Sequence, residues 1–469
     1  MENKIINQIL VNKNSSIKET MKAIDQGGLG IAFIVDENKK LFGVVTDGNI
    51  RRSILNGINI EKSIREIANK KPIIFKEGFG EKEILKLKFN KNIKKRLPLS
   101  GSFKIPVIDR AGKIKDIVFV YTNKGKILQT PKPVANKLEF KGGGIKKTLV
   151  IGGAGYLGSV LCRKLLEKGY RVKVLDNLTY GDEGIRELYS NKNFNFSKGD
   201  IRNISDVVEA IREIDAVIHL AAIVGDSACK VDPKETVEIN YLATKTIAET
   251  CKYFQVNRFI FASTCSVYGE SPTPNTKLTE ESSLNPVSLY AETKIKCEQS
   301  IFEAMDENFS PTILRMATLY GYSPNMRFDL AVNLLTGKAI FDKKITIFGG
   351  DQWRPWLDVE DAATAYVNCL EAPIEKVRGE IFNVLSENHK IIEIGRIINS
   401  ICPEAKIEIS KKITDKRNYN VSFEKISRVL NYRPKKKIKD GVVEIKNAIK
   451  RGLIRDYKDS QYRTFLPQL

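Results

Sequence analysis

Lys146-Lys147-Thr148-Leu149-Val150-Ile151-Gly152-Gly153-Ala154-Gly155-Tyr156-Leu157-Gly158 carries the strongest signal of the fold in this chain. Its first six residues read as a short buried parallel strand, its glycines as a tight loop, and Ser159 to Lys168 as the helix after it. Glycines permit the turn, let the backbone approach a pyrophosphate and let the helix pack on the strand, with the helix N-terminus facing the anion. Gly152, Gly155, Tyr156, Leu157 and Gly158 are therefore candidate dinucleotide contacts. A Gly-x-x-Gly-x-x-Gly run is a weak signal alone, and the next strand strengthens it. That second apolar strand, Tyr170 to Leu175, ends at Asp176, where a carboxylate can accept both ribose hydroxyls and would repel a 2′-phosphate. NAD is favoured over NADP.

Downstream, Ser263-Thr264-Cys265-Ser266-Val267-Tyr268-Gly269 precedes Tyr290-Ala291-Glu292-Thr293-Lys294. A tyrosine hydroxyl is a poor base near its free pKa of about 10. An ammonium one helical turn away, together with a nicotinamide cation, favours the phenolate. Tyr290 is thereby a candidate base for hydride transfer, although Tyr-x-x-x-Lys by itself also describes a surface contact between neighbouring helical turns.

From about residue 146 to the C-terminus the chain resembles the extended short-chain dehydrogenases/reductases of the NAD-dependent sugar-nucleotide epimerase/dehydratase family. The resemblance implies Thr264, Tyr290 and Lys294 as the catalytic triad. It implies cofactor contacts at Asp176 and Asn177, at Asp200 and Ile201 in Gly199-Asp200-Ile201-Arg202, at Leu220, Ala221 and Ala222 beside His219, and at Lys294. Asn240 takes the helix position that steadies the central strands. Thr318 in Leu314-Arg315-Met316-Ala317-Thr318-Leu319-Tyr320-Gly321, Asn333, Arg354 in Gly350-Asp351-Gln352-Trp353-Arg354, and Arg417 in Asp415-Lys416-Arg417-Asn418-Tyr419 are implied substrate contacts. Guanidinium groups also suit a diphosphate on chemical grounds, because they donate bidentately. Taken singly, each arginine reads equally as a solvated surface residue.

Family members share a first step in which the tyrosine takes a sugar hydroxyl proton while hydride leaves the same carbon for NAD. Dehydratases of the family carry Asp and Glu directly after the catalytic Thr; Cys265 and Ser266 stand here. The expectation is C4 epimerisation of a nucleotide-diphosphate sugar through a transient keto-sugar, of the kind that feeds polysaccharide biosynthesis. A 4-ketoreductase, a dehydratase of the same family and a non-catalytic NAD-binding sensor are the alternatives. Cys265 reads as a small core residue or as a proton-transfer thiol beside a ketone. The segment Ala221 to Cys229 lacks the His that many UDP-hexose epimerases carry after the paired alanines, so the sugar remains open.

Before residue 131 the chain repeats itself. Ile31 to Asp47 and Lys104 to Val118 each read as strand, polar turn, strand, with helical stretches before each hairpin. This internal repeat resembles a pair of CBS (cystathionine-β-synthase) domains, modules that often bind adenosine nucleotides. The family's ribose-binding Asp is Asn49 here, and no Thr-x-x-Asp comes after Val120, which leaves a nucleotide site and a purely structural or dimerising module both open. Thr130-Pro131-Lys132-Pro133 and Lys141-Gly142-Gly143-Gly144 bracket a linker.

The expected organisation is an α+β CBS pair over 1–130, a linker over 131–145, and over 146–469 a doubly wound parallel α/β sheet of Rossmann type with a smaller C-terminal substrate lobe. Both resemblances imply assembly as a homodimer or larger homo-oligomer. The 469 residues are 42% hydrophobic, an ordinary globular share. Residues 1–14 lack the apolar core and cleavage site of a signal peptide, and no apolar run spans a membrane, so the expected location is cytoplasmic. Seven cysteines without a Cys-x-x-Cys argue against a disulfide framework or a metal site. The formal charge of +21 is spread over scattered lysines. Its longest clusters, Lys94-Lys95-Arg96 and Lys435-Lys436-Lys437, lack interleaved aromatics, which points away from nucleic acid and towards steering of anionic substrates.

Overall fold

The computed structural model describes residues 6, 9–27, 31–79, 101–123, 126–127, 145–271, 273, 275–306, 308–410 and 417–462. The chain divides into two compact units, Met1–Gly142 and Gly143–Leu469. Most of the stretch read as a linker, and the Lys94-Lys95-Arg96 cluster, lie outside the described residues.

The larger unit is built on strands β1 (Lys147–Ile151), β2 (Arg171–Asp176), β3 (Phe194–Lys198), β4 (Ala216–His219), β5 (Arg258–Thr264) and β6 (Ser310–Met316). After β7 (Thr318–Tyr320) and β8 (Trp353–Asp358) come β9 (Glu380–Val384) and β10 (Glu387–Lys390). Seven of them form one wholly parallel sheet in the order β3-β2-β1-β4-β5-β6-β9. Alternate residues serve opposite faces, as a period of two requires. Val150, Ile218, Ile260 and Leu314 pack into one core with helices α1 (Tyr156–Glu167) and α6 (Val359–Glu371). Leu149, Ile151, Val217, Phe259, Phe261 and Ile313 pack into another with α2 (Ile204–Ile211), α3 (Ala243–Tyr253) and α4 (Leu289–Glu303). Burial on both faces explains why these strands read as unbroken apolar runs.

The strand order reverses between β1 and β4, and a ligand crevice opens beyond the carboxyl ends of strands at such a switch point. The smaller lobe holds the sheet β7-β8-β10, helix α5 (Ala331–Phe341) and the helices Ile391–Ile401 and Ile438–Lys450. Its core is formed by Val332, Leu335, Ile345, Ile347, Trp356, Ile394, Ile398 and Val442. Lys435 and Lys436, read from sequence as part of a surface charge cluster, donate their backbone N–H groups to Asp361 at 2.9 Å each, and the Lys436 ammonium pairs with Glu444 at 2.6 Å.

The first unit repeats at the level of single hydrogen bonds. Leu10–Asn12 runs parallel to Ile31–Val35, which pairs antiparallel with Leu41–Thr46; Phe75–Lys76 runs parallel to Gly101–Ile108, which pairs antiparallel with Ile114–Asn123. In the first turn Asp36 Oδ1 accepts from the Asn38 and Lys40 N–H groups at 3.0 and 2.8 Å. In the second, Asp109 Oδ1 accepts from Ala111 and Lys113 at 2.9 Å each. Two Asx turns of one geometry, with Lys39 and Gly112 at φ of 60° and 84°, fix the two hairpins alike.

Candidate active site

The glycine loop leaves β1 at Gly152, whose φ of 84° is a left-handed conformation that suits glycine. A Cβ there would lie 2.6 Å from the Ala221 nitrogen, one on Gly153 would lie 2.6 Å from Val174 Cγ2, and one on Gly158 would lie 2.3 Å from the Gly152 oxygen. These three glycines are there because the helix, β2 and the loop after β4 come too close for a side chain. Gly155 differs: a Cβ on it would meet only the Gly152 oxygen, at 3.5 Å. It is the N-cap of α1 and no side chain caps the helix. The helix starts at Tyr156, inside the motif and three residues before the start expected from sequence. An open, uncapped helix N-terminus of this kind fits a pyrophosphate.

Asp176 ends β2 and braces the loop, its Oδ2 accepting from Ala154 N at 3.0 Å and its Oδ1 from Leu178 N at 2.9 Å. A carboxylate with about four acceptor positions is not exhausted by these bonds and can still accept from a ribose. Burial pushes the Asp176 carboxyl above the usual carboxylate range. Leu220 and Ala221 donate N–H groups to the Ile151 oxygen at 2.9 and 3.0 Å, which draws the segment after β4 against the loop. Asn177 spends its Oδ1 on Thr179, at 3.0 Å to N and 2.7 Å to Oγ1. Asp200 is paired with Arg202 at 2.7 Å, an arginine that holds its carboxyl low, and Ile201 is buried. The hydroxyl of Tyr156 turns away from the loop and donates to the Gly321 oxygen at 2.7 Å, so its part in any nucleotide contact falls to the backbone.

Helix α4 is capped by Ser288, whose Oγ accepts from Ala291 N, and it presents Tyr290 and Lys294 one turn apart. It packs against β5, which ends at Thr264. The Lys294 ammonium donates to the Ala262 oxygen at 2.7 Å, sits 4.5 Å from the Phe261 ring centroid and 5.9 Å from that of Tyr290. Thr264 Oγ1 accepts from Ser266 N at 3.1 Å, which leaves the hydroxyl proton to be donated. Burial holds the Tyr290 hydroxyl above its ordinary value, a thiol at Cys229 and a carboxylate at Asp226 add to this, and the cations Arg327 and Arg417 oppose it. Burial likewise pulls the Lys294 ammonium down. His219, buried at the end of β4 with Nε2 2.9 Å from Thr244 Oγ1, is brought down to about 3 by burial and by Lys294, and is neutral.

Arg417 reaches the triad turn, its Nη1 3.2 Å from Ser266 Oγ and its Nε 3.7 Å from Asp226 Oδ2. Arg354 is buried, donates Nη1 to the Trp353 oxygen at 2.8 Å and stacks 5.6 Å from the Tyr419 ring centroid. Burial raises the Tyr419 hydroxyl, and the charges of Arg417 and Arg354 oppose this. Thr318 is half-buried at the start of β7. Asn333 stands apart from these. It is fully buried, its Oδ1 accepts from Gly321 N at 3.0 Å, and its Nδ2 donates to Tyr156 Oη and to the Arg327 oxygen at 3.2 and 3.0 Å. Its amide ties the first helix to the lobe. Asn240 is similarly occupied, exchanging two hydrogen bonds with Ile223 inside the π-helical turn Val237–Leu242. Cys265 is buried, donates its thiol to the Arg315 oxygen at 3.1 Å and is raised by burial, which suits a core residue and not a proton-transfer thiol. Sequence reasoning missed Arg327 and Asp226. Arg327 is held by Asp329 at 2.6 Å, and the only local sign of it was an Arg-x-Asp spacing in the loop after Gly321.

A family model described as NAD dependent epimerase/dehydratase family matches residues 148–384, half of the chain. The chain belongs to that family. A second model, the CBS domain, matches residues 5–56. Among epimerase/dehydratase relatives, a protein named uncharacterized UDP-glucose epimerase YtcB, from Bacillus subtilis, is 30% identical over 310 residues, covering 63% of this chain and 95% of the relative. A dTDP-glucose 4,6-dehydratase of Escherichia coli is 27% identical over 333 residues, covering 63% and 90%. The crystal structure of the Bacillus cereus UDP-glucuronic acid 4-epimerase in complex with UDP-glucuronic acid and NAD is similar at 31% identity and a TM-score of 0.59, covering 65% of this chain and 99% of that one. The parallel sheet and glycine loop are thus those of an epimerase/dehydratase. Among the described residues no helix is long and apolar enough to cross a membrane.

Proposed function

We propose that the larger unit is an NAD-dependent sugar-nucleotide epimerase acting at C4, with Tyr290 as its acid/base. The observation that carries this reading is the packing of α4, which bears Tyr290 and Lys294, against the strand that ends at Thr264, while Cys265 and Ser266 offer no carboxylate pair for eliminating water. NAD would be held by the backbone of Gly152 to Gly158, by Asp176 at the ribose, by Asp200 and Ile201 at the base, and by Leu220 to Ala222 and Lys294 nearer the reacting end. When bound, it supplies the reversible hydride acceptance that interconverts a C4 alcohol and a transient keto-sugar.

Thr264 donates its free hydroxyl proton to the sugar O4 and orients it. Tyr290 Oη takes the O4 proton and later returns it, with Lys294 fixed on Ala262 so that its positive charge stays beside the phenolate. Arg417 and Arg354 would meet an anionic diphosphate with charge-assisted hydrogen bonds. Relatives named for UDP- and dTDP-linked sugars support a nucleoside-diphosphate hexose as the substrate class.

The test is to incubate the full chain in D2O with UDP-, GDP-, CDP- and dTDP-hexoses, without reduced cofactor, and to follow products by mass spectrometry and NMR. A C4 isomer of unchanged mass is expected, and Tyr290→Phe should lower kcat by about 10² to 10⁴-fold with NAD still bound. Loss of water, or turnover only of a keto-sugar supplied with NADH, would replace epimerisation by dehydration or ketoreduction.

For the N-terminal unit we infer a module in which Asn49 serves the helix and not a ribose. Its Oδ1 accepts from Thr46 N and Oγ1 at 3.1 and 2.7 Å, closing the cap of the helix Asp47–Leu55. Calorimetry of the full chain with AMP, ADP and ATP should detect no binding below about 1 mM, a weak-binding limit; tight binding would overturn this reading.

A further inference from the structure

The spacing that puts Lys294 one turn after Tyr290 puts Glu298 one turn further on, on the same helix. Glu298 is 4% exposed, and a carboxylate so buried costs free energy unless it is paired and hydrogen-bonded. Arg315 on β6 supplies the pair, with Nη2 2.8 Å from Oε2 and Nε 3.2 Å from Oε1. Ser263 on β5 donates its hydroxyl to the same carboxylate. The other guanidinium nitrogen, Nη1, reaches Tyr268 Oη at 3.0 Å and the Glu280 oxygen at 3.2 Å, and Tyr268 in turn donates to Asn383 Oδ1 on β9 at 2.8 Å.

Thr264 lies between two members of this network. Ser263 before it bonds Glu298, and Cys265 after it donates to the Arg315 backbone oxygen. An apolar contact between α4 and β6 would hold the helix but let it slide; a two-pronged guanidinium–carboxylate pair fixes distance and rotation together. Net stability is a poor explanation for such a pair, since apolar residues of like volume often serve as well. We infer that Glu298, clamped by Arg315, is a positioning residue that sets the register between the helix presenting Tyr290 and Lys294 and the strand end presenting Thr264. It touches no reacting atom, and the inference rests on the proposed roles of those three residues. Glu298 also bears on Lys294: burial pushes that ammonium down, and Glu298 opposes it along with Cys297 on the same helix and Cys229 from Asp226–Val231, while Tyr290 and neutral His219 complete its surroundings.

The test compares Glu298→Gln, which keeps the shape, with the double variant Glu298→Met/Arg315→Met, which removes both charges. Measured on the full chain are thermal midpoint, kcat and KM on the sugar the wild type converts, and the ¹⁵N NMR titration of the Lys294 side chain, assigned with Lys294→Arg. Glu298→Gln should lower kcat by about tenfold or more with KM changed by less than about twofold, as expected when a catalytic group is slightly misplaced. It should also move the Lys294 titration to lower pH. The double variant should regain the lost thermal midpoint but not kcat. Recovery of kcat together with the midpoint, or a Glu298→Gln protein with wild-type kcat and Lys294 titration, would overturn the positioning role. Should the wild type convert no sugar, the proposed reaction falls on its own. Crystal structures of the wild type and Glu298→Gln then decide the inference, upholding it if the helix shifts relative to the Thr264 strand end and overturning it if it does not.

Discussion

The glycine loop and the substrate lobe hold their polar groups in opposite ways. At the loop the constraint is a missing methyl group: three of the glycines face backbone or β2 at distances no Cβ tolerates, and the fourth would make only an ordinary contact, 3.5 Å from the Gly152 oxygen. In the lobe the constraint is the partner of a side chain: Asn333 answers to Gly321, Tyr156 and Arg327, and Arg354 to Trp353 and Tyr419. A site written in backbone conformation depends on local spacing. A site written in side-chain partners depends on which elements the fold brings together.

The loop can be broken most severely. Gly158→Ala drives a methyl into the Gly152 oxygen and the Gly153 backbone, neither of which can rotate away, and should cost about 3 kcal/mol or more by denaturant unfolding, with NAD binding lost. Gly155→Ala sharpens the contrast. It should leave stability within about 1 kcal/mol, because its methyl makes only an ordinary contact with the Gly152 oxygen, while weakening NAD about tenfold in a fluorescence titration by crowding the proposed pyrophosphate position. Equal effects at both positions would contradict the distinction.

In the lobe, Asn333→Ala strands the Gly321 N–H and should destabilise the unit by about 2 kcal/mol, with NAD affinity falling as the Tyr156 tie loosens. A raised KM for sugar nucleotide at unchanged stability would instead return Asn333 to the substrate contact that the family resemblance implied. A smaller effect is expected at Asp358, buried at the end of β8. Burial lifts its carboxyl to about 7; Lys436 at 3.9 Å opposes this, and Glu444 and Asp361 add to it. The folded chain therefore keeps a proton that the unfolded chain releases near its ordinary value, so stability should fall as pH rises from about 4 to about 7. Asp358→Asn preserves the cap on Glu360 and should flatten that part of the stability curve.

The first two strands were legible in advance, as short apolar runs ending in glycine and acidic signals; β3 and β9 were not read. The helix start at Tyr156 was misread because the last glycine of the motif belongs to the first helical turn, where closeness to Gly152 decides its identity. The candidate triad was legible through its spacing, but its desolvation was not: burial raises the Tyr290 hydroxyl, and no sequence pattern reports that. Arg327 and Asp226 went unseen for a related reason, as each bears on Tyr290 from a segment remote in the chain.

Local spacing and residue type were enough to specify the dinucleotide loop, the parallel sheet, the repeated hairpins of the first unit and the residues able to do hydride-transfer chemistry, and these can be read along the chain. Three-dimensional packing was needed to establish that Arg354 lies over Tyr419 while Arg417 reaches Ser266, that Asn333 is a buried tie, and that Glu298 and Arg315 grip both sides of Thr264. Those outcomes depend on the order in which distant strands lie side by side, and so on the packing of the whole sheet and not on any one segment of it.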